Sequence, residues 1–129
     1  MSAPDRPDSP HLPYAASIDA YGKGGFRFAD MSHRGSLLCL PDGVWAWPVT
    51  QPSEIDEKSL ARVFANAGRI DTLLIGTGAE IAPLPAQLRS ALRAAGIGCD
   101  AMQTGAAIRT YNIMMGERRR VAAALIAVP

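Results

Sequence analysis

The chain has 129 residues, 48% of them apolar and 19% charged, which suits one globular domain and is too apolar for a disordered chain. Thirteen basic and 12 acidic residues leave a formal charge of +1, so no basic excess points to nucleic acid or to an anionic membrane surface. The longest apolar run, residues 121–128, is far short of the roughly 18 residues a bilayer-spanning helix needs.

Taken in order, the chain opens with Pro4, Pro7, Pro10 and Pro13 at a three-residue spacing. Residues 1–16 are therefore expected to be a disordered proline-rich tail of polyproline character, with a docking role for its PxxP spacing left open. Its Arg6 is balanced by Asp5 and Asp8, and no apolar stretch follows, so neither a secretory signal nor a transit peptide is read here. Residues 17–129 are expected to form a single domain.

The first third of that domain reads as β-rich. Residues 17–21 and 26–28 are strand-like around Gly22-Lys23-Gly24-Gly25, whose glycines mark a tight turn. A strand over residues 35–40, a turn at Pro41-Asp42-Gly43 and a strand over residues 44–49 complete a meander. The meander is expected to pack beside the rest as an extra layer.

After Pro52 the period changes. Ser53 or Asp56 is placed to cap a helix whose Leu60, Val63, Phe64 and Ala67 share one face, with Gly68 as its stop. Residues 71–75 form an apolar strand that runs into Gly76-Thr77-Gly78. Pro85 suits a helix start, Leu88, Ala91, Leu92 and Ala95 line one face, and Gly96 ends the helix. Residues 97–102 read as a strand, Thr104 as the cap of a third helix through Met115, and residues 119–128 as a last strand. Such α–β alternation predicts an α/β fold: a three-layer single domain with a mixed, largely parallel sheet, flanking helices and a β-rich N-terminal addition.

Chemistry-bearing residues are sparse. Cys39 and Cys99 sit in apolar surroundings and read as reduced core cysteines. With only His11 and His33 besides, no metal-ligand spacing exists, and no metal or cofactor is expected. No nucleophile has a base nearby, and Glu54, Asp56 and Glu57 gather at a helix start, where the helix dipole favours them. Catalysis is thus unassigned, with a non-catalytic role preferred.

Two segments still stand out as candidate ligand-binding sites. Gly76, Thr77 and Gly78 follow a buried strand, where α/β sheets bind ligands, but Ile81 breaks the dinucleotide-binding fingerprint. The second segment holds Thr104, Arg109, Tyr111 and Asn112, followed by Glu117 and Arg119. Arg109 carries a planar fork suited to a carboxylate or phosphate; pairing with an internal carboxylate is the competing reading. A pocket between the two segments would make the protein a small-molecule or anion binder.

The combination of Gly24-Gly25-Phe26, Trp47-Pro48-Val49, Gly76-Thr77-Gly78, Gly96-Ile97, Thr104, Arg109-Thr110-Tyr111-Asn112 and Glu117-x-Arg119-x-Val121 resembles the small Mth-type domain-of-unknown-function family. The resemblance covers about residues 17–128. It implies a compact three-layer α/β domain with no firmly established activity or cofactor. Among that family's animal relatives are a mitochondrial complex I assembly factor and an adipogenesis-associated protein. The resemblance therefore implies protein partners, such as an assembly client, without membrane insertion; peripheral membrane association and oligomeric state are left open. Lacking a transit peptide, the chain is read as a bacterial, cytoplasmic member.

Overall fold

The computed structural model describes residues 10–129. Eight strands and three helices run in the order β1 (Ala20–Gly22), β2 (Gly25–Phe28), β3 (Met31–Arg34), β4 (Ser36–Leu40), β5 (Gly43–Trp47), α1 (Ala61–Ala65), β6 (Thr72–Gly76), α2 (Ala86–Ala94), β7 (Gly98–Met102), α3 (Thr104–Gly116) and β8 (Val121–Leu125). They form two sheets, an antiparallel β1-β2-β3 and a five-stranded β5-β4-β8-β6-β7. In the larger sheet β8, β6 and β7 are parallel, whereas β4 is antiparallel to both β8 and β5.

Alternation along each strand divides the interior into two cores. Leu38, Leu40, Leu73, Ile75, Ala122 and Ala124 face α1 and α2, packing on Leu60, Val63, Leu88 and Leu92. Their neighbours Leu37, Cys39, Leu74, Ala123 and Leu125 face α3 and the small sheet, meeting Phe26, Phe28, Ile108 and Tyr111. The fold is therefore three layers with the large sheet in the middle. At its centre lies β8, whose Ala122, Ala123 and Ala124 are fully buried. Side chains this small let cover approach closely on both faces.

The N-terminal third departs from the expected meander. Its first hairpin forms as expected, but β3 adds a third strand to it over Met31-Ser32-His33-Arg34. The β4–β5 hairpin does not join that layer; it extends the main sheet through the pairing of β4 with β8. The physical reason is in the burial of Ser36–Leu40, where all five residues are covered. A strand apolar on both faces is stable only inside a sheet covered on both sides.

The proline-spaced segment divides as well. Pro4 and Pro7 lie outside the described residues. Beyond them Leu12 is buried and forms an antiparallel bridge with Val44, so residues 10–12 line the edge of β5 and are not a free tail. The peptide groups pair in both directions: the His11 N–H donates to the Val44 carbonyl at 2.7 Å, and the Val44 N–H to the Leu12 carbonyl at 3.1 Å.

Smaller differences lie at helix ends. Neither Ser53 nor Asp56 caps α1, whose N-cap Leu60 makes no side-chain capping bond; instead the Asp56 carboxylate accepts from the Ser59 N–H at 2.7 Å while the Asp56 N–H donates to Ser59 Oγ at 3.0 Å, a reciprocal pair that closes the turn before the helix. That helix is short and stops at Ala65, and Gly68 lies in a 3-10 turn over Ala67–Arg69. Gly96, in contrast, takes the left-handed conformation expected after α2, with φ +83°.

Gly76 marks the tightest contact between β6 and α3. A Cβ placed there would lie 2.8 Å from both Cα and Oγ1 of Thr104, and backbone cannot yield as a side chain can. Gly76→Ala is expected to lower stability by about 1–3 kcal/mol in urea unfolding followed by circular dichroism. Gly116→Ala, which meets nothing within 4 Å at the end of α3, should be neutral or stabilising.

Candidate functional site

The parallel strands β6 and β7 end at Gly76-Thr77-Gly78 and at Met102, next to the start of α3. A dense set of hydrogen bonds closes this end of the sheet. Thr104 Oγ1 donates to the Ile126 carbonyl at 2.7 Å and accepts from the Gly78 N–H at 3.0 Å. The Thr104 N–H donates to the Gly78 carbonyl at 2.9 Å, and the Ile126 N–H to the Gly76 carbonyl at 2.9 Å. One fully buried hydroxyl thus links the turn after β6, the start of α3 and the segment after β8.

Thr104 is consequently not the helix cap that the sequence predicts. Gln103 occupies that position without a side-chain capping bond. The threonine hydroxyl turns to two partners distant in sequence because both would otherwise be buried without a bond. Thr77 behaves similarly: its hydroxyl donates to the Glu80 carbonyl at 2.7 Å and accepts from the Ala82 N–H at 3.0 Å. It shapes the loop before α2.

Farther along α3, Tyr111 and Asn112 hold the segment that leads into β1. The Tyr111 ring is buried in the core, and its hydroxyl donates to the Ala16 carbonyl at 3.1 Å. Asn112 grips both ends of Ile18, accepting from its N–H at 2.9 Å and donating from Nδ2 to its carbonyl at 2.8 Å. The carboxamide acts on Ile18 as a neighbouring strand would. Tyr21 then passes over Gly105, whose missing side chain leaves room for the phenol.

The structure therefore brings Gly76, Thr77, Gly78 and Thr104 together but turns Arg109 elsewhere. The buried residues of α3 are Thr104, Ala107, Ile108, Tyr111 and Met114. At about 100° per residue, Arg109 falls nearly opposite the middle of that face, and it is exposed. Neither reading of Arg109 as a pocket wall or as one half of an internal ion pair is met among the described residues. Glu117 and Arg119 pair with each other at 3.8 Å on the surface, with both side chains more than half exposed. Exposed pairs of this kind contribute little to stability.

Ionisable groups in the core all favour their neutral forms. Burial pushes the thiol of Cys99 up to about 11 and raises Cys39 and the Tyr111 phenol further. A thiol held protonated is a poor nucleophile. Burial also lowers both His11 and His33, whose rings lie 4.5 Å apart. Among the described residues no group of three or more His, Cys, Asp or Glu side chains is placed to hold a metal ion.

The family described as "Protein of unknown function (DUF498/DUF598)" matches residues 18–126. This chain belongs to that family. A solution structure of a Bordetella pertussis protein described as a Mth938-like domain is 30% identical, covers 86% of this chain and 85% of its own, and superposes with a TM-score of 0.77. A crystal structure of a Bartonella henselae protein, described as an outer membrane protein, is 50% identical, covers 92% of this chain and all of its own, and superposes with a TM-score of 0.89. The mouse protein named NADH dehydrogenase [ubiquinone] 1 alpha subcomplex assembly factor 3 is 32% identical over 118 residues. That match takes in 92% of this chain but only 64% of the mouse protein. Among the described residues of this chain, no helix is long and apolar enough to cross a membrane.

Sequence reasoning missed a second feature. Trp45 and Trp47, in the last strand of the expected meander, are both buried. The Trp45 indole donates to Asp42 and carries the Arg62 guanidinium over its ring at 3.6 Å, while the Trp47 indole donates to the Ser59 carbonyl. Beside them runs a groove of about 700 Å³, lined by residues from several elements. No spacing in the sequence brings those residues together.

Two expectations follow. Thr104→Val leaves the Gly78 N–H and the Ile126 carbonyl without their partner and should cost about 1–3 kcal/mol, and Asn112→Ala a similar amount, whereas exposed Arg109→Ala should stay within about 0.5 kcal/mol. Urea titration of the three variants checks the order. Stability should also be highest near neutral pH. Below the ordinary histidine value of 6.5 the unfolded chain binds protons that His11 and His33 resist, so stability falls with pH. Above the ordinary thiol value of 9.0 the unfolded chain loses protons that Cys39 and Cys99 retain, so it falls again. Melting temperatures across that range check both signs.

Proposed function

We propose that this chain is a non-catalytic interaction factor that assists the assembly of respiratory complex I or of another membrane protein complex. The observation that carries the reading is the likeness to the mouse assembly factor, which extends over nearly the whole of this chain. The geometry supports it from another direction. The hydroxyls of Thr77, Thr104 and Tyr111 and the amide of Asn112 all bind the chain's own backbone. The segments that look most functional in the sequence therefore support the fold, and the outer surface is left to recognise partners.

A small-molecule or anion site between the Gly-Thr-Gly turn and the Arg-Thr-Tyr-Asn helix is the competing reading. It would require Thr104, Tyr111 and Asn112 to give up backbone partners, buried for Thr104 and part-buried for the other two, at a cost of up to about 1–3 kcal/mol for each bond left unmade. Arg109 is exposed, but on the side of α3 away from Thr104 and Tyr111.

Deletion of the gene in its native host should lower fully assembled complex I, or another respiratory complex, on native gels, with accumulation of a subcomplex. Plasmid-borne protein should restore it. Normal amounts of every respiratory complex in the deletion strain would overturn the reading.

A further inference from the structure

We propose that the groove beside β5 is a docking site for an extended, acidic segment of a partner protein, received as a short added strand. The inference rests on the reading of the chain as an interaction factor and names the part of its surface that does the work.

The backbone supplies the first argument. β5 is an edge strand of the main sheet. Val44 turns its N–H and carbonyl outward, where His11 and Leu12 meet them. Peptide groups on a strand alternate sides, so Ala46 presents its N–H and carbonyl along the same edge. Ala46 is exposed, and among the described residues no strand lies on that side of it. Pro48, two residues on, has no N–H and closes the ladder, as prolines on edges do. The edge thus offers its peptide groups for pairing, as the isolated bridge from Leu12 to Val44 shows, but only over a short stretch.

Charge supplies the second. Five basic or titratable bases line the groove, namely His11, His33, Arg34, Lys58 and Arg62, together with Ala46, Trp47 and Pro48, and no carboxylate lines it. The side chains of Arg34 and Lys58 are exposed and make no hydrogen bond or ion pair to any described residue. The Arg62 guanidinium is held flat on Trp45. In a protein of net charge +1, Arg34, Lys58 and Arg62 place three cations beside an apolar strip and an open backbone edge, while burial favours the neutral form of both histidines. An extended segment alternating carboxylates with apolar side chains matches all three: its backbone meets Ala46, its apolar side chains lie on Ala46 and Pro48, and its carboxylates reach Arg34 and Lys58.

The test is titration of the isotope-labelled protein with a short synthetic peptide alternating glutamate and valine, followed by backbone amide shifts. Saturable shifts centred on Ala46, Trp47 and Gly35 are expected. Affinity should fall with added salt and drop about tenfold in the Arg34→Glu, Lys58→Glu double variant, a change of about 1.4 kcal/mol. The charge-matched Arg89→Glu, Arg93→Glu variant should bind as the parent does. No saturable shift, shifts centred elsewhere, or equal binding by both double variants would overturn the proposal. Binding of phosphatidylglycerol vesicles in place of the peptide would overturn it in favour of a lipid surface. The outcome is separable from the assembly reading: a deletion strain with normal complexes would remove that reading while leaving a positive titration intact, and the reverse also holds.

Discussion

The hydroxyl of Thr104 is the constraint on which the arrangement depends. It sits where three parallel strands end and a helix begins, and its two hydrogen bonds fix the Gly76-Thr77-Gly78 turn to the residues after β8. Parallel α/β sheets generally bind ligands at this end of the sheet. Here the place is occupied by the chain's own backbone, and Gly76 lies so close to Thr104 that no side chain fits between them. From this anchored start α3 packs on the sheet, and about two turns on Tyr111 and Asn112 hold the segment entering β1. A single helix therefore ties the small sheet to the large one.

How far this could be read from the sequence varied along the chain. From residue 71 onward each element has a clear period and a clear stop, and strands and helices fall within a few residues of where those signals put them. The first third carries weaker signals. Met31-Ser32-His33-Arg34 forms β3 without any apolar alternation, because pairing with β2 decides it. Leu37-Leu38-Cys39-Leu40 is apolar on both faces, a pattern that belongs in a covered sheet and not in a one-sided meander.

The candidate site shows the same limit in another form. The sequence marks Gly76–Gly78 and the stretch from Thr104 to Asn112 as unusual, and the structure confirms that both are geometrically demanding. Their purpose was not legible, since whether a hydroxyl faces a ligand or a backbone carbonyl depends on partners 22 to 95 residues away. Arg109 was the residue most suited to an anion, yet the helical phase turns it out to solvent. The groove beside β5 was invisible for a related reason: Arg34, Ala46 and Lys58 become neighbours only once the hairpin has joined the main sheet.

Interior and surface consequently divide the work. Polar residues that would mark a site in many α/β proteins here complete hydrogen bonds at the sheet end and along α3, and recognition falls to edges and grooves outside. The most direct test of that division is native-state hydrogen exchange at the amides of Gly78 and Ile18, which donate to Thr104 and Asn112. If these contacts hold the fold together, both amides exchange only through global unfolding, with protection equal to the full unfolding free energy. Exchange through local opening, at rates typical of surface loops, would contradict the account and return both segments to the role of an adaptable binding site.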